Sequence, residues 1–290
     1  MIWPGFARSV VACRPALPLD TPYILDFTRF IWEGHDYVPS VWEAWLANTD
    51  GLLAVAEYEG RAVGMARVVR LTRDQWWMEG FRVDPRYQGM KIGSHVHEYI
   101  DRWWLEHGNG TVRLMTSAKR VQVHHLCARL GYEKIGEVMA LGAEAQMGEA
   151  TFRSCDAAEI PLVLERLRSA PVAAQTHGLL DLGWKFVTPC EEVLRPLALQ
   201  AGVLEWRGGE GYLVVWEESE GAALTLGLVA CDWEALPELL RASSALAAAR
   251  GLQRVAWLAP CHSEVLTQAT KAGFVSLWEN SGYLYQKVKA

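Results

Sequence analysis

The sequence has no Cys-x-x-Cys pair, no long apolar run, no basic stretch and no low-complexity segment. Its six cysteines (Cys13, Cys127, Cys155, Cys190, Cys231, Cys261) are scattered over 290 residues. For such a distribution the expectation is reduced thiols of a cytoplasmic protein. No segment approaches the ~18–20 apolar residues of a spanning helix, so no membrane role is expected. Met1 to Arg8 lacks the charged-then-apolar order of a secretory signal. Lys and Arg number 28 against 34 Asp and Glu, a formal charge of −6. The densest basic stretches, such as Lys119-Arg120, are two residues long, so no face is built to displace phosphate counterions and nucleic acid is not an expected partner. His95-x-His97 and His124-His125 do not set ligands on one helix face, so no metal site is expected.

What the chain does have is tryptophan, 14 of them, within an otherwise ordinary globular composition of 51% hydrophobic and 21% charged residues. The length suits two domains, each able to bury a core. The tryptophans split eight to six between the halves, so the excess does not mark one site. Trp103 and Trp257 fall at core-like positions. Trp32, Trp42, Trp45, Trp76 and Trp77 flank the segments that carry the chemistry below.

The same order of elements occurs twice. In the first half a strand over Val10 to Arg14 leads to Asp20, placed as the N-cap of a helix whose first positions are Thr21 and Pro22. Strands over Leu52 to Tyr58 and Ala62 to Val69 flank Glu59-Gly60-Arg61, a hairpin turn. Another strand, Met78 to Val83, stops at Asp84-Pro85. A helix follows over Ile92 to His107, its apolar residues recurring every three or four positions. Then come strand Thr111 to Met115, a helix over Val121 to Leu130, Gly131-Tyr132 and a last strand. The second half echoes this ending, with a strand at Val255, a helix over Ser263 to Lys271, Ala272-Gly273-Phe274 and a strand over Tyr283 to Val288. The repeat predicts a tandem duplication, residues 1–145 and 150–290.

The segment Met78 to Ser94 carries the most specific chemistry. A strand enters a loop and the loop enters a helix, with Gln88, Gly89, Met90, Lys91, Ile92, Gly93 and Ser94 at the helix start. Unpaired N–H groups and the positive end of the macrodipole face outward there, a ready anion site. Gly89 and Gly93 allow close backbone approach, and Lys91 can add a charge.

With Val83-Asp84-Pro85 before it and Ala128 to Tyr132 after it, this loop resembles the pyrophosphate loop of the GCN5-related N-acetyltransferases (GNAT), Arg/Gln-x-x-Gly-x-Gly/Ala. The first glycine of that pattern falls on Lys91 here. The resemblance covers the first half and implies an α/β (α+β) class, two tandem GNAT folds, each a mixed, mostly antiparallel sheet flanked by helices. It implies acetyl-CoA as cosubstrate, with main-chain groups of Phe81, Arg82 and Val83 along the pantetheine arm and the developing oxyanion. Glu33 to Ser40, Trp42 to Leu46 and Met78-Glu79-Gly80 look like the group related to the vertebrate histidine N-acetyltransferase, which implies a small amine or amino acid as acceptor.

An amine must lose a proton to attack. The resemblance implies a strand carboxylate for this, and Glu79 is the acid on that strand; its usual place, two residues earlier, is Trp77 here, on the same strand face. The proton donor to the departing thiolate, a tyrosine in the family, corresponds to Cys127. Glu33, Asp36 and Tyr37, with Trp42 and Trp77, are candidates for the acceptor pocket. In the second half the strand Ala222 to Ala230 runs almost directly into a helix at Ala235. The anion-binding turn is missing, so that copy is expected to have lost its cofactor site. Protein or peptide acetylation, and a non-catalytic acyl-CoA-binding module, are the alternatives. Either a monomer, as a pseudo-dimer, or a homodimer is compatible with the sequence.

Overall fold

The structure is a computed structural model that describes residues 11–217 and 222–289. Val10, the expected start of the first strand, lies outside them. The described residues fall into two compact units. The first holds residues 11–112, 128–131 and 287–289; the second holds 113–127, 132–217 and 222–286.

In the first unit the order is β1 (Ala12–Pro15), α1 (Thr21–Thr28), α2 (Val38–Ala47), β2 (Gly51–Tyr58), β3 (Arg61–Arg70), β4 (Gln75–Val83) and α3 (Ile92–His107). The strands pair in that sequence, all antiparallel. Glu59 and Gly60 both have positive φ, as a two-residue hairpin turn that follows strand twist requires. β3 is buried along almost its whole length because helices cover both faces. On one face Met65 joins Ile24, Phe27, Val38, Trp42 and Trp45 of α1 and α2. On the other, Gly64 seats Ile92 so closely that an added Cβ would stand 2.7 Å from it. That contact fixes where α3 begins.

Asp20 does not cap α1. Its backbone is already helical, in a short turn over Pro18–Asp20. Its fully buried carboxylate turns back instead, accepting from the Leu17 N–H (2.8 Å) and from Arg14 (2.7 and 2.8 Å). A buried carboxylate gains more from a guanidinium than from one helix N–H.

The second unit contains most of β5 (Thr111–Ser117) and α4 (Val121–Arg129), then β6 (Glu133–Glu144), β7 (Phe152–Ser154), α5 (Ile160–Ser169), α6 (Pro171–Ala174), β8 (Leu180–Asp181), β9 (Phe186–Val187), α7 (Glu191–Leu199), β10 (Val203–Trp206), β11 (Gly211–Glu217), β12 (Ala223–Cys231), α8 (Leu236–Ala249), β13 (Arg254–Pro260), α9 (Ser263–Lys271), β14 (Val275–Ser276) and β15 (Gly282–Val288). Its sheet order is β5-β15-β6-β13-β12-β11-β10-β7. The last strand of the chain thus lies between β5 and β6. β6 pairs with β15 through its first half and with β13 and β14 through its second. Its core gathers Trp206, Leu213, Leu226, Leu239, Trp257 and Phe274.

β8 and β9 form a separate hairpin. Asp181, 2% exposed, accepts from the Trp184 N–H across its turn (2.6 Å). Burial pushes the Asp181 carboxyl up to about 7, against the Trp184 and Lys185 backbone N–H groups, which pull it down. The unfolded carboxyl titrates near ~4. Between those values the folded chain binds a proton that the unfolded chain does not, so this group's contribution to stability falls as pH rises from about 4 through about 7. Asp181→Asn, which cannot ionise, is expected to raise the melting temperature clearly at about pH 8 and less at about pH 5. Thermal unfolding at the two pH values checks this, and an equal effect at both would refute it.

Candidate functional site

In β4 the pairing with β3 is interrupted once. Met65 faces Arg82 and Arg67 faces Glu79, so Ala66 alone opposes Gly80 and Phe81. This is a β-bulge, and Gly80 takes the positive φ (+71°) that such a bulge favours in glycine. The ring of Trp45, from α2, lies against Gly80, where a Cβ would meet it at 2.7 Å. The strand then ends in Asp84. Its buried carboxylate accepts from the Arg86 N–H (3.0 Å) and pairs with the Arg86 side chain, which also reaches Asp26 (2.7 Å).

After this short turn the chain passes Gln88 in extended conformation, Gly89 at φ +86° and Lys91 at φ +58°, and enters α3. His95 is the N–H that first returns to a loop carbonyl, that of Lys91 (3.1 Å). The N–H groups ahead of it, from Ile92, Gly93 and Ser94, have no helical acceptor. Nothing lies within 4 Å of a Cβ placed on Gly89, so the loop presents open space beside these donors. Lys91 is exposed and makes no side-chain hydrogen bond or ion pair with a described residue. Free amides at a helix start, an exposed ammonium and an uncrowded glycine suit a diphosphate. Lys91 occupies the left-handed conformation that a glycine would adopt freely, at a cost of roughly 1–2 kcal/mol.

Beside the bulge, two guanidinium groups are buried with one carboxylate each. Arg67 donates to Glu79 Oε1 (2.7 Å), with side chains 7% and 10% exposed, and lies 5.1 Å from the Trp45 ring. Burial lowers the proton affinity of Arg67, and Glu79 opposes that shift. Arg82 grips Asp36 with two nitrogens (2.7 and 2.9 Å). Asp36 also accepts from the Val38 N–H at the start of α2 (3.2 Å). Arg82 lies against the rings of Trp32 (4.2 Å) and Tyr37 (5.2 Å). Burial raises the Tyr37 hydroxyl, with Arg82 pulling it down and Glu79 and Asp36 adding to the rise. Trp32 and Glu33 both have positive φ, ahead of Gly34, and Trp32 stands 50% exposed.

The structure therefore brings Glu79, Arg82, Asp36 and Tyr37 into one network, with Glu33 exposed in the adjoining turn. Trp42 lies in the core, its indole donating to Thr21 (2.9 Å). Trp77 is buried on β4. Phe81 packs on His97 of α3 (4.5 Å), and burial depresses that imidazole to about 3, ahead of the smaller effects of Lys287 and Arg129. Cys127 is buried in the second unit. There Tyr285 donates to His124 Nδ1 (3.0 Å), while His124 Nε2 faces the Ala118 carbonyl (3.0 Å) and so carries the ring proton. Arg67 and the Gly80 bulge escaped the sequence reading. Both leave a trace in it: a lone charge inside an apolar strand, and a glycine inside another.

Residues 20–132 match the profile of the acetyltransferase (GNAT) family. A search of curated proteins returned no match. Among solved structures, a GCN5-related N-acetyltransferase from Sphaerobacter thermophilus is similar over 96% of this chain and 95% of its own, with a TM-score of 0.64 and 18% identity. A tandem GNAT protein from the clavulanic acid biosynthesis pathway is similar over 97% and 99%, with a TM-score of 0.59 and 13% identity. At such identities these likenesses speak to the fold, which extends over the whole chain.

Lys91→Gly is expected to raise stability by up to about 1 kcal/mol, because relief of the left-handed strain exceeds the added freedom of the unfolded chain. Lys91→Ala keeps the strain and is expected to change stability little. Urea denaturation of both variants measures the difference, and a loss of stability on Lys91→Gly would contradict it.

Proposed function

We propose that the chain, whose residues 20–132 match the acetyltransferase (GNAT) family, moves an acetyl group from acetyl-CoA to a primary amine of a small molecule or amino acid, by direct attack with both substrates bound. The observation that carries this reading is the start of α3. Gln88 to Ser94 would hold the pyrophosphate through backbone N–H groups, with Lys91 adding charge. Main-chain groups of Phe81, Arg82 and Val83, at and beyond the bulge, would line the pantetheine arm and stabilise the oxyanion. Bound acetyl-CoA supplies the activated thioester carbonyl; the chain supplies orientation and proton transfer.

Glu79 is assigned the proton acceptor for the attacking amine. Arg67 holds its carboxylate by one oxygen and so fixes its direction. Asp36 has a positioning role, since its carboxylate is committed to Arg82 and to the start of α2. The acceptor is assigned to Glu33, Trp32 and Tyr37, which stay exposed beside that pair. We read residues 1–145 as the catalytic sequence repeat and 150–290 as a degenerate one. In support, residues 84–91 separate β4 from α3, whereas only 232–235 separate β12 from α8, leaving no loop to cradle a diphosphate.

Calorimetry is expected to find one acetyl-CoA bound per chain; two would overturn the degenerate reading. Release of free CoA across a panel of small amines tests the activity, and binding without turnover of any amine or peptide would make the chain a binding module. Glu79→Gln is expected to lower kcat/KM by roughly two to four decades and flatten the acid limb of its pH profile. A rate near that of the parent would remove Glu79 from the mechanism. Lys91→Ala should raise the KM for acetyl-CoA with kcat little changed.

A further inference from the structure

Three aromatic rings lead outward from the β-bulge of the first unit. Trp45 is buried and lies against Gly80. The Tyr37 ring meets Trp45 edge-on, with centroids 6.0 Å apart and planes at 79°. Trp32 follows at 6.5 Å from Tyr37, the two rings inclined by 27°. The row starts in the core and ends in solvent, where Tyr37 and Trp32 are exposed.

The backbone holds Trp32 there at a cost. Trp32 (φ +48°), Glu33 (φ +56°) and Gly34 (φ +90°) are three successive left-handed residues. A tryptophan is strained in that conformation, and such strain gathers at ligand clamps. It keeps this ring out of the core that Trp42 and Trp45 join. Arg82 lies over the indole, 4.2 Å from its centroid, and Asp36 fixes the guanidinium in that place. A second cation on the same indole would meet that charge. A neutral flat ring is therefore the better partner for the surface of Trp32 that stays exposed.

Charge narrows the guest further. The two guanidinium groups beside the bulge are both committed. Arg67 donates to Glu79, and Arg82 donates to Asp36 through Nε and Nη2 and to the Phe81 carbonyl through Nη1. The two pairs cancel, and Glu33 in the adjoining turn adds a negative charge. A carboxylate on the guest would compete with Glu79 or Asp36 for a guanidinium and would meet Glu33, whereas an ammonium is attracted. Beyond the effect of burial, the Tyr37 hydroxyl feels the charges of Arg82, Glu79 and Asp36. The row of rings thus begins beside the carboxylate assigned to the attacking amine.

We propose that the acceptor is a primary amine on a short chain that ends in an aromatic ring and carries no carboxylate. Its amine reaches Glu79, its chain passes Tyr37 and its ring stacks on Trp32. This rests on the acetyl-transfer reading above and, within it, selects arylalkylamines over amino acids.

Calorimetry on the full chain with saturating CoA compares phenethylamine, cyclohexylethylamine and free phenylalanine. The two amines share charge and length and differ in flatness; the amino acid adds a carboxylate. Phenethylamine is expected to bind about three- to tenfold more tightly than cyclohexylethylamine, as a favourable ring–ring contact implies. It is expected to bind about tenfold or more tightly than phenylalanine, because like charges repel at close quarters. Trp32→Leu should abolish the preference for the flat ring, and Trp32→Phe should keep part of it. Glu33→Gln should narrow the gap between phenethylamine and phenylalanine. Equal binding of the two amines, phenylalanine bound as tightly as phenethylamine, an unchanged ring preference in Trp32→Leu or no saturable binding of any of the three would each overturn the proposal. Release of free CoA from acetyl-CoA is read separately. The expected order of binding without any turnover would refute acetyl transfer and leave the acceptor site standing; turnover of both amines without a ring preference would do the reverse.

Discussion

Two guanidinium groups lie almost out of water on the sheet of the first unit, and a buried charge without a partner costs several kcal/mol. Much of the local architecture answers to that constraint. Arg67 takes Glu79 from the facing strand as a direct cross-strand pair. Arg82 takes Asp36 from the turn ahead of α2, which draws that turn onto β4 and lays Trp32 and Tyr37 against the guanidinium. Trp45 then covers Arg67 and the bulge together. Removing one carboxylate would therefore disturb an aromatic loop as well as an ion pair.

The bulge and the start of α3 work as a second linked set. Gly80 opens the ladder one turn before the strand ends, and Gly64 lets Ile92 settle against β3. Between them the loop can present its amides only if Lys91 accepts a left-handed conformation. A glycine would hold the same shape without strain but would bring no charge. The sequence trades conformational ease for an ammonium beside the free amides of the α3 start. β12 and α8 meet across residues 232–235 alone, without a comparable loop.

The second unit depends on the final strand. β15 is hydrogen-bonded between β5 and β6, and the Tyr285–His124 and Ser281–Glu137 bonds tie it further. Two runs of sequence far apart in the chain thus complete one sheet.

Much of this was legible in the sequence where the signal is local. Helical periodicity places α3 at Ile92–His107 and α9 at Ser263–Lys271, and Glu59-Gly60 places the β2–β3 hairpin. Gln88 to Ser94 reads as a glycine-bearing loop that runs from a strand into a helix start. These features depend on residues within one or two turns of each other, where backbone sterics and periodicity decide. The tertiary structure alone decided the partners: Arg67 for Glu79, Arg82 for Asp36, Arg14 rather than a helix start for Asp20, and β5 and β6 for β15. Arg14 and Asp20 are only six residues apart and Arg67 and Glu79 twelve, while the others join segments distant in sequence; in every case the partner is chosen by which charges and strand edges end up excluded from water, and that choice exists only once the chain has packed.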